Sequence, residues 1–492
     1  MKKKIKNRIS HQEWIKLHPH NKPASSDSYF VKLANHFLDL IETEFKDSFT
    51  DKTKRTIALS VAAYFEDIIS EFGLWQGFTR KHYQMYGKYL PFYESSNDYI
   101  PEEINLEDVL FLIWSIMQME KRETEKMMLN PENMGIVALG LTIFKILDEE
   151  YETAPENEDL YHFFTESINY DDFIQFRPLP AWLYYHSYLI APYTDGHFEK
   201  AMENLNKYKE HKEMFSYTIK YSLIFQNPCG PLALKTNEWL SAIVGEDTAL
   251  GKMLLQIQFK YKAPNTYLVT DHNEHGITLL PFDSNEPVFL SKNTFNKDAP
   301  YKTGDVVYCN LIFYNGKWEL NGLIMNVSPE QYEKDRKETE KHKANAEYSI
   351  NLFLKANNNK PICYFKNGKK YEDFFNVAFN PAEKMKKNPL KGYENIVSFI
   401  NPAEGITTIA DLAEYIKDKT NPCYNKEIAE EYGLCVFTEF ELFKGLIDYF
   451  VTKKLLSDLS MNSILGKIHG KKLVQENLDF MFRFFQPLSY NR

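Results

Sequence analysis

The densest group of potential metal ligands lies in a short polar segment near the middle of the chain. Asp271-His272-Asn273-Glu274-His275 places two imidazoles next to two carboxylates. These groups are suitable ligands for zinc or another divalent ion, so His272, Glu274 and His275 are candidates for the centre of a metal-dependent hydrolase. The alternative is a polar loop, Asp271–Gly276, between two strands. Adjacent side chains in a turn diverge, which favours the loop, so we expect no metal and predict no cofactor.

A second candidate is the stretch Leu74–Tyr93, which we call the basic–aromatic segment. It contains no acidic residue, although the chain has 68 of them. Interleaved cations and rings suit a nucleotide or a single-stranded nucleic acid, because cations bind phosphates and rings stack on bases. The alternative is a helix that buries its rings and pairs its cations with Glu66, Asp67 or Glu71. The candidate binding residues of this segment are Trp75, Arg80, Lys81, His82, Tyr86, Lys88 and Tyr89.

Familiar catalytic signatures are missing from the sequence. It contains no phosphate-binding loop of the G-x-x-x-x-G-K-[ST] type, and no G-x-G-x-x-G, H-E-x-x-H or G-x-S-x-G pattern. The pair His18-Pro19-His20 has no further ligand close to it in sequence, so by itself it is a weak metal site. These observations favour a non-enzymatic protein.

Composition and charge restrict the class of protein. The chain has 492 residues, of which 43% are hydrophobic and 26% charged, as in globular proteins of several domains. A formal net charge of -10 argues against a general nucleic-acid coat, since such binding neutralises phosphates with Lys and Arg. The five scattered cysteines include no C-x-x-C pair and indicate reduced thiols in the cytoplasm. The longest apolar stretches, Val109–Met117 and Gly135–Leu147, are too short or too interrupted to cross a membrane.

Helical periodicity extends from residue 28 to about residue 255. Phe30, Leu33 and Phe37 recur at helical spacing after the Ser25–Ser28 cluster, which suits an N-cap. Another helix should begin at Asn130-Pro131-Glu132, because a capping Asn precedes a proline at the first helical position. No fixed repeat period is present, so an irregular helical bundle is predicted.

A β-rich region interrupts the helices between Tyr261 and Val327. Its sharpest signal is Asn315-Gly316 between two alternating runs, because both positions of a tight hairpin turn need positive φ. Five short strands in about sixty residues predict a small barrel of the SH3-like or OB-like kind. The predicted strands are Thr266–Thr270, Ile277–Leu280, Val288–Ser291, Val306–Tyr314 and Lys317–Met325.

The hairpin register divides the side chains of Val306–Tyr314 between two faces. A two-residue turn pairs Phe313 with Trp318 on one face, and Tyr308 and Tyr314 lie on the other. This second face is mixed polar and aromatic, so it is a candidate surface for a protein partner. In that case Tyr308→Ala and Tyr314→Ala weaken a partner contact without unfolding the protein. The alternative is that the face meets another part of the same chain.

Together these patterns predict a mainly α protein with a small β insertion. A helical N-terminal domain precedes the central five-stranded SH3/OB-like barrel, and a helical C-terminal domain follows it. A dense run of charges after the barrel suits an exposed connecting helix. The predicted segments are an N-terminal arm (1–27), a helical domain (28–260), the barrel (261–327), a charged linker helix (328–346) and the helical C-terminal domain (347–492).

Several longer phrases extend over nearly the whole chain. They are Trp14-Ile15-Lys16-Leu17-His18-Pro19, Tyr64-Phe65-Glu66-Asp67-Ile68-Ile69, Tyr86-Gly87-Lys88-Tyr89-Leu90-Pro91-Phe92-Tyr93, Glu103-Ile104-Asn105-Leu106-Glu107-Asp108, Gly304-Asp305-Val306-Val307 and Asn421-Pro422-Cys423-Tyr424. In these phrases the chain resembles a family of uncharacterised bacterial proteins catalogued as domain of unknown function 3843. The resemblance implies a bacterial cytosolic protein and assigns no activity or site residue.

The function predicted from the sequence is a non-enzymatic binding or scaffold protein of the bacterial cytoplasm. Its contacts would use the barrel face or the basic–aromatic segment, an unknown protein partner is favoured, and no membrane is expected. One alternative is a nucleic-acid-associated protein, whose salt-sensitive binding is lost when Arg80 and Lys81 are both replaced by alanine. The other is the metal-dependent hydrolase built around His272, Glu274 and His275.

Overall fold

The structure is a computed structural model whose described part forms two compact units. Unit 1 comprises Met1–Tyr261, Asn310–Leu323 and Glu476–Asn491, and unit 2 comprises Lys262–Cys309 and Ile324–Gln475. The residues that the structure describes are 8–45, 49–94, 98–124, 128–203, 212–260, 266–282, 286–295, 301–379, 388–439, 442 and 444–490.

Unit 1 is built mainly from helices. Thr50 caps Asp51–Ile69 by accepting a hydrogen bond from the Thr53 amide. None of the described helices is both long and apolar enough to cross a membrane. Among the described residues, the helices of unit 1 are His11–Ile15, Asp27–Glu44, Asp51–Ile69, Leu74–Tyr86, Leu106–Thr124, Met134–Glu150, Phe163–Glu166, Phe173–Phe176, Pro178–Tyr185, Ala191–Thr194, His197–Glu203, Lys212–Gln226, Thr236–Val244, Ala249–Leu255 and Pro487–Tyr490, with the end of Lys467–Phe485.

The helix predicted to begin at Asn130-Pro131-Glu132 begins instead at Met134, so that boundary is wrong. The Asn130 side chain accepts a hydrogen bond from the Glu132 amide at 2.7 Å, which forms a turn ahead of the helix. Asn133 then acts as the N-cap and accepts from the Gly135 amide at 2.9 Å. An asparagine does cap this helix, but it is Asn133, three positions later in the chain than Asn130.

The central sheet has six strands, five of which close into the predicted barrel. In this ring β2 pairs with β3, β3 with β4, β4 with β6, β6 with β5, and β5 again with β2; β1 pairs with β5 outside the ring. The strands are β1 (Gln258–Lys260), β2 (Thr266–Asn273), β3 (Gly276–Pro281), β4 (Val288–Ser291), β5 (Val306–Tyr314) and β6 (Lys317–Val327).

The tight hairpin between β5 and β6 is confirmed. Asn315 and Gly316 have φ values of 45° and 79°, as a two-residue turn of this hand requires. The rings of Phe313 and Trp318 lie 5.3 Å apart between centroids, as the predicted pairing demands. Turn chemistry and strand pattern therefore specify the same register in this part of the chain.

The largely helical C-terminal part of unit 2 also contains an antiparallel sheet that the sequence reasoning missed. Its strands are β7 (Ile362–Asn367), β8 (Glu394–Asn401) and β9 (Gly405–Ile409), in that order. The charged linker helix is longer than predicted, because its C-terminal turns bury Phe353 against Phe365 and Phe375. The helices of unit 2 are Pro329–Ala356, Gly368–Ala378, Lys426–Glu439, Lys444–Thr452 and the start of Lys467–Phe485, with short turns at Lys292–Thr294 and Ala413–Tyr415.

Candidate functional site

The basic–aromatic segment begins with the helix Leu74–Tyr86, whose N-terminus is held by Asp67. The carboxylate of Asp67 accepts hydrogen bonds from the three backbone amides of residues 73–75, at 2.8 to 3.2 Å. The Tyr188 hydroxyl donates a fourth hydrogen bond to it at 2.6 Å. Burial raises the pKa of Asp67 to about 6, although these donors act in the opposite direction. Asp67 thus anchors a helix and does not pair with a cation of the segment.

The candidate rings of this segment pack inside unit 1. Trp75 and His82 are fully buried, and burial lowers the pKa of His82 to about 4, which keeps its ring neutral. The Tyr86 hydroxyl donates to Asp479 Oδ2 at 2.5 Å. Tyr89 stacks between two other tyrosine rings, at 4.8 and 5.0 Å. Trp75 and His82 are therefore core residues, which corrects their prediction as binding groups.

The cations of the basic–aromatic segment have partners from distant parts of unit 1. Lys81 pairs with Glu246 at 2.5 Å, not with any of the three acids predicted for this role. Lys88 Nζ donates to Asn477 Oδ1 at 2.7 Å. Arg80 is exposed. These contacts support the alternative interpretation, in which the basic–aromatic segment is a helix that packs within unit 1. Nucleic-acid binding by the segment stays a prediction.

The face of β5 that carries Tyr308 and Tyr314 is partly internal. Tyr314 is fully buried, and its ring stacks on Phe176 with 4.9 Å between centroids. Its hydroxyl donates to the Tyr170 carbonyl oxygen at 2.7 Å. Tyr314 is therefore a core residue of unit 1, which corrects its prediction as part of a partner surface. Tyr308 is half-buried, and its role at a partner contact stays a prediction.

The metal candidates His272, Glu274 and His275 lie at the exposed tip of the β2–β3 hairpin. The predicted loop Asp271–Gly276 is shorter than expected, because β2 continues to Asn273 and only two residues form the turn. His275 Nε2 lies 3.6 Å from Glu274 Oε1, and both side chains point into solvent. Within the described part of the chain, these residues do not form a group of three converging metal ligands.

A cavity of about 810 Å³ opens within unit 1. Its walls come from the helices Asp51–Ile69 and Leu106–Thr124, from residues 185–199, and from Leu17 and Lys220. The sequence reasoning did not find this cavity, because its lining is gathered from five separate parts of the chain. The larger apolar side chains of the lining are Leu17, Leu59, Ile116, Met119, Tyr188, Pro192 and Phe198.

Some of the polar groups of the cavity are already paired. Glu120 accepts a hydrogen bond from Thr53 Oγ1 at 2.6 Å. Lys52 and Asp195 form an ion pair at 2.6 Å, and both side chains are exposed. An exposed pair of this kind contributes little to stability, since water screens it. Other polar side chains of the lining, among them His186 and Lys220, take no part in these two pairs.

Lys220 and His186 are the remaining basic groups of the lining. Lys220 Nζ lies 5.5 Å from the centre of the Tyr185 ring, and no carboxylate of the described residues forms an ion pair with it. Partial burial, together with the nearby Lys220 and Lys16 ammonium groups, lowers the pKa of His186. A neutral imidazole beside an ammonium group results, so Lys220 carries the local positive charge.

A second feature of unit 1 is a buried group of three side chains, which we call the His18 cluster. His18 Nε2 lies 2.7 Å from Glu66 Oε2, and His18 Nδ1 lies 3.8 Å from Asp27 Oδ1. One ligand atom of each residue lies within 4.8 Å of the others. The His20 ring lies beside the cluster, with its centroid 5.3 Å from that of His18.

The sequence itself places no further ligand close to the His18-Pro19-His20 pair. The missing partners come from two helices: Asp27 begins Asp27–Glu44, and Glu66 lies 48 positions after His18. The signal available in the sequence was Asp27 in the capping cluster Ser25–Ser28. No local pattern connects these residues, so only the folded chain reveals the cluster.

The fold defines the chain as a mainly helical protein with a small inserted β-barrel. It matches the model of a family described as protein of unknown function (DUF3843) over residues 8–272 and 321–486. This is most of its length, and the chain belongs to this family, as the sequence phrases predicted. No curated protein and no solved structure matches the chain.

Proposed function

We propose that the protein is a non-enzymatic binding protein of the bacterial cytoplasm, and that its ligand is a small organic anion held in the cavity of unit 1. The observation that carries this proposal is the cavity itself, with its volume of about 810 Å³. Sites for small molecules typically measure roughly 300–1,000 Å³. All five cysteines are free thiols, which supports the cytoplasmic part of the proposal.

The lining supports a ligand with an apolar body. Leu59, Ile116 and Phe198 present aliphatic and aromatic surface to the cavity, and their contacts with a ligand would remove apolar surface from water. Binding sites usually combine such a lining with a few polar groups that fix the orientation of the ligand. The barrel face and the basic–aromatic segment support binding less well, because several of their rings are already buried within unit 1.

Lys220 supports an anionic group on the ligand. It has no carboxylate partner among the described residues, and its ammonium group lies over the Tyr185 ring at the wall of the cavity. The Tyr185 hydroxyl donates to the Lys220 carbonyl oxygen at 2.9 Å, which ties the ring to the helix that carries the lysine. A carboxylate, sulfonate or phosphate bound there would form a charge-assisted hydrogen bond.

The proposal is tested with two fluorescent probes that differ in charge. Anilinonaphthalene sulfonate is an apolar anion, and phenylnaphthylamine has the same rings without the sulfonate. We expect both probes to bind to the purified protein. Leu59→Trp puts a larger side chain into the lining and narrows the cavity, so it should weaken the binding of both probes; Leu59 is chosen because it is a half-buried lining residue.

Lys220→Met separates charge from shape. It should weaken the sulfonate probe by about tenfold or more, the size of a lost charge-assisted hydrogen bond, and leave the neutral probe unchanged. Lys252→Met is the matched control, because Lys252 is an exposed lysine of unit 1 outside the cavity lining. Unchanged binding of both probes in Leu59→Trp, or equal loss of both probes in Lys220→Met, counts against the proposal.

A further inference from the structure

The His18 cluster is held by three separate elements of unit 1. His18 follows the helix His11–Ile15, and its backbone amide donates to the Ile15 carbonyl oxygen at 3.1 Å. Asp27 opens the helix Asp27–Glu44, and its Oδ2 accepts from the Ala24 amide at 2.9 Å. Glu66 lies within the helix Asp51–Ile69. All three side chains are at least nine-tenths buried, so their geometry is set by packing.

Glu66 fixes the orientation of the His18 ring. Its Oε2 lies 2.7 Å from His18 Nε2, and its Oε1 accepts from Asn157 Nδ2 at 3.0 Å. The backbone of Asn157 is also held in place, because its backbone amide donates to Ser70 Oγ at 2.9 Å. When Nε2–H donates a hydrogen bond to the Glu66 carboxylate, a neutral imidazole keeps its lone pair on Nδ1. The side chain of His18 therefore aims an electron-pair donor away from Glu66.

The lone pair of His18 Nδ1 faces Asp27 Oδ1, and no hydrogen bond joins the two atoms. His18 Nδ1 and Asp27 Oδ1 are 3.8 Å apart, too far for a hydrogen bond. Both atoms are buried, and neither has a hydrogen-bond partner among the described residues. Leaving two such atoms unsatisfied is destabilising, so the arrangement calls for a group between them.

We propose that this pair binds a divalent transition-metal ion of the zinc type, with His18 Nδ1 and Asp27 Oδ1 as two of its four ligands. Zinc lies about 2.0–2.2 Å from nitrogen and oxygen ligands, so two tetrahedral ligands stand roughly 3.3–3.6 Å apart. The separation of 3.8 Å is within a few tenths of an ångström of this range. Glu66 takes the role of the carboxylate that orients a metal-bound histidine through its other ring nitrogen.

His20 is adjacent but is not assigned as a ligand. Its Nδ1 accepts a hydrogen bond from the Lys22 amide at 3.1 Å, which places the proton on Nε2. A protonated ring nitrogen has no lone pair for a metal ion. The buried Nε2 of His20 thus remains a hydrogen-bond donor beside the site, and a variant without it is a specific control for the ligand assignment.

The experiment measures zinc binding by the full chain. Protein freed of metal with a chelator is titrated with Zn²⁺ alone by calorimetry, and bound zinc is counted by elemental mass spectrometry. We expect one zinc ion per chain. Asp27→Asn keeps the shape of the ligand and should reduce the affinity by at least tenfold. Glu66→Gln should reduce it by roughly tenfold to a hundredfold, the usual effect of losing the carboxylate behind a metal-bound histidine.

Three control variants keep the inference testable. Asp108→Asn removes another buried carboxylate of unit 1 and should leave zinc binding unchanged, which separates ligand loss from general destabilisation. His20→Gln should also bind one zinc ion. His272→Ala combined with His275→Ala should do the same.

Titration with Co²⁺ adds a direct signature, since its visible absorption should change in Asp27→Asn and not in the three controls. Failure of the folded wild-type protein to bind zinc would overturn the inference. Zinc binding that depends on His20 or on the hairpin histidines, and not on Asp27, would overturn it as well.

Discussion

Replacement of Tyr314 by alanine separates a core role of this residue from a role at a partner surface. The ring packs on Phe176 and Phe173, with 4.9 and 5.3 Å between centroids, and has no exposed surface. Removal of a buried aromatic ring typically costs about 3–5 kcal/mol, because a cavity remains. Tyr314→Phe keeps the ring and loses only the hydrogen bond to the Tyr170 carbonyl oxygen, which should cost about 1 kcal/mol.

Amide hydrogen exchange measured on peptides is the suitable assay, because the chain has two units and a single unfolding midpoint is not well defined. Each 1.4 kcal/mol changes an equilibrium about tenfold. In the peptide that contains Phe173–Phe176, Tyr314→Ala should therefore raise the exchange rate by roughly two to more than three orders of magnitude, and Tyr314→Phe by about fivefold.

Tyr308→Ala is the matched control for this prediction. Tyr308 lies on the same face of β5 but is half-buried, so its replacement should change exchange much less than that of Tyr314. The reasoning is refuted if Tyr314→Ala leaves exchange unchanged. It is refuted more strongly if that folded variant has also lost a protein partner that wild type retains in affinity purification, since Tyr314 would then act at a surface.

Two further predictions concern buried positions of unit 1. Burial raises the pKa of Asp108 from 3.8 to about 7 in the folded protein, so the folded state binds a proton that the unfolded state releases near pH 4. The resulting contribution to the free energy of unfolding is complete below about pH 4 and is lost as the pH rises towards 7. Between pH 5 and pH 7 the wild type should lose about 2 kcal/mol more local stability than Asp108→Asn, measured by amide hydrogen exchange in the peptide that contains residue 108, and an identical pH dependence of the two would contradict this. Gly77→Ala places a Cβ atom 2.7 Å from Ile243 Cγ1 and 3.0 Å from its Cα, which should cost about 1–3 kcal/mol and outweigh a gain of about 1 kcal/mol in helix propensity. Gly140→Ala is the matched control, because the atoms closest to its Cβ belong to the side chains of Leu110 and Ile113 and not to backbone; faster amide exchange around residue 140 in Gly140→Ala than around residue 77 in Gly77→Ala would contradict the prediction.

Features specified by neighbouring residues were predictable from the sequence. The β5–β6 hairpin is one, because Asn315-Gly316 and the flanking alternation act within a few positions of each other. The β7–β9 sheet was missed although its signals are local too: β9 reads Gly-Ile-Thr-Thr-Ile, and such β-branched runs favour strands. The helix start was misplaced because Asn130 and Asn133 offer the same capping chemistry, and a local turn decides between them.

Features that depend on distant contacts were not predictable in this way. Lys81 finds its partner Glu246 at a separation of 165 positions, so a search for acids near the segment identified the wrong ones. The His18 cluster likewise needs Glu66, 48 positions away. Burial decides the role of Trp75 and His82, and their sequence context is equally compatible with a surface. Residue types alone therefore indicated candidate chemistry, and the packing of unit 1 determined which candidates converge.

The three-part composition of unit 1 has a consequence for how the protein is made. Its last stretch, Glu476–Asn491, is translated after the segments Lys262–Cys309 and Ile324–Gln475 of unit 2. Phe480 in that stretch packs on Phe92 with 5.6 Å between centroids, and Phe484 packs on Trp114 at 5.0 Å. Until these two rings have been synthesised, Phe92 and Trp114 lack these packing partners. The packing of unit 1 is therefore completed only after the synthesis of these segments of unit 2, although its first residues emerge early.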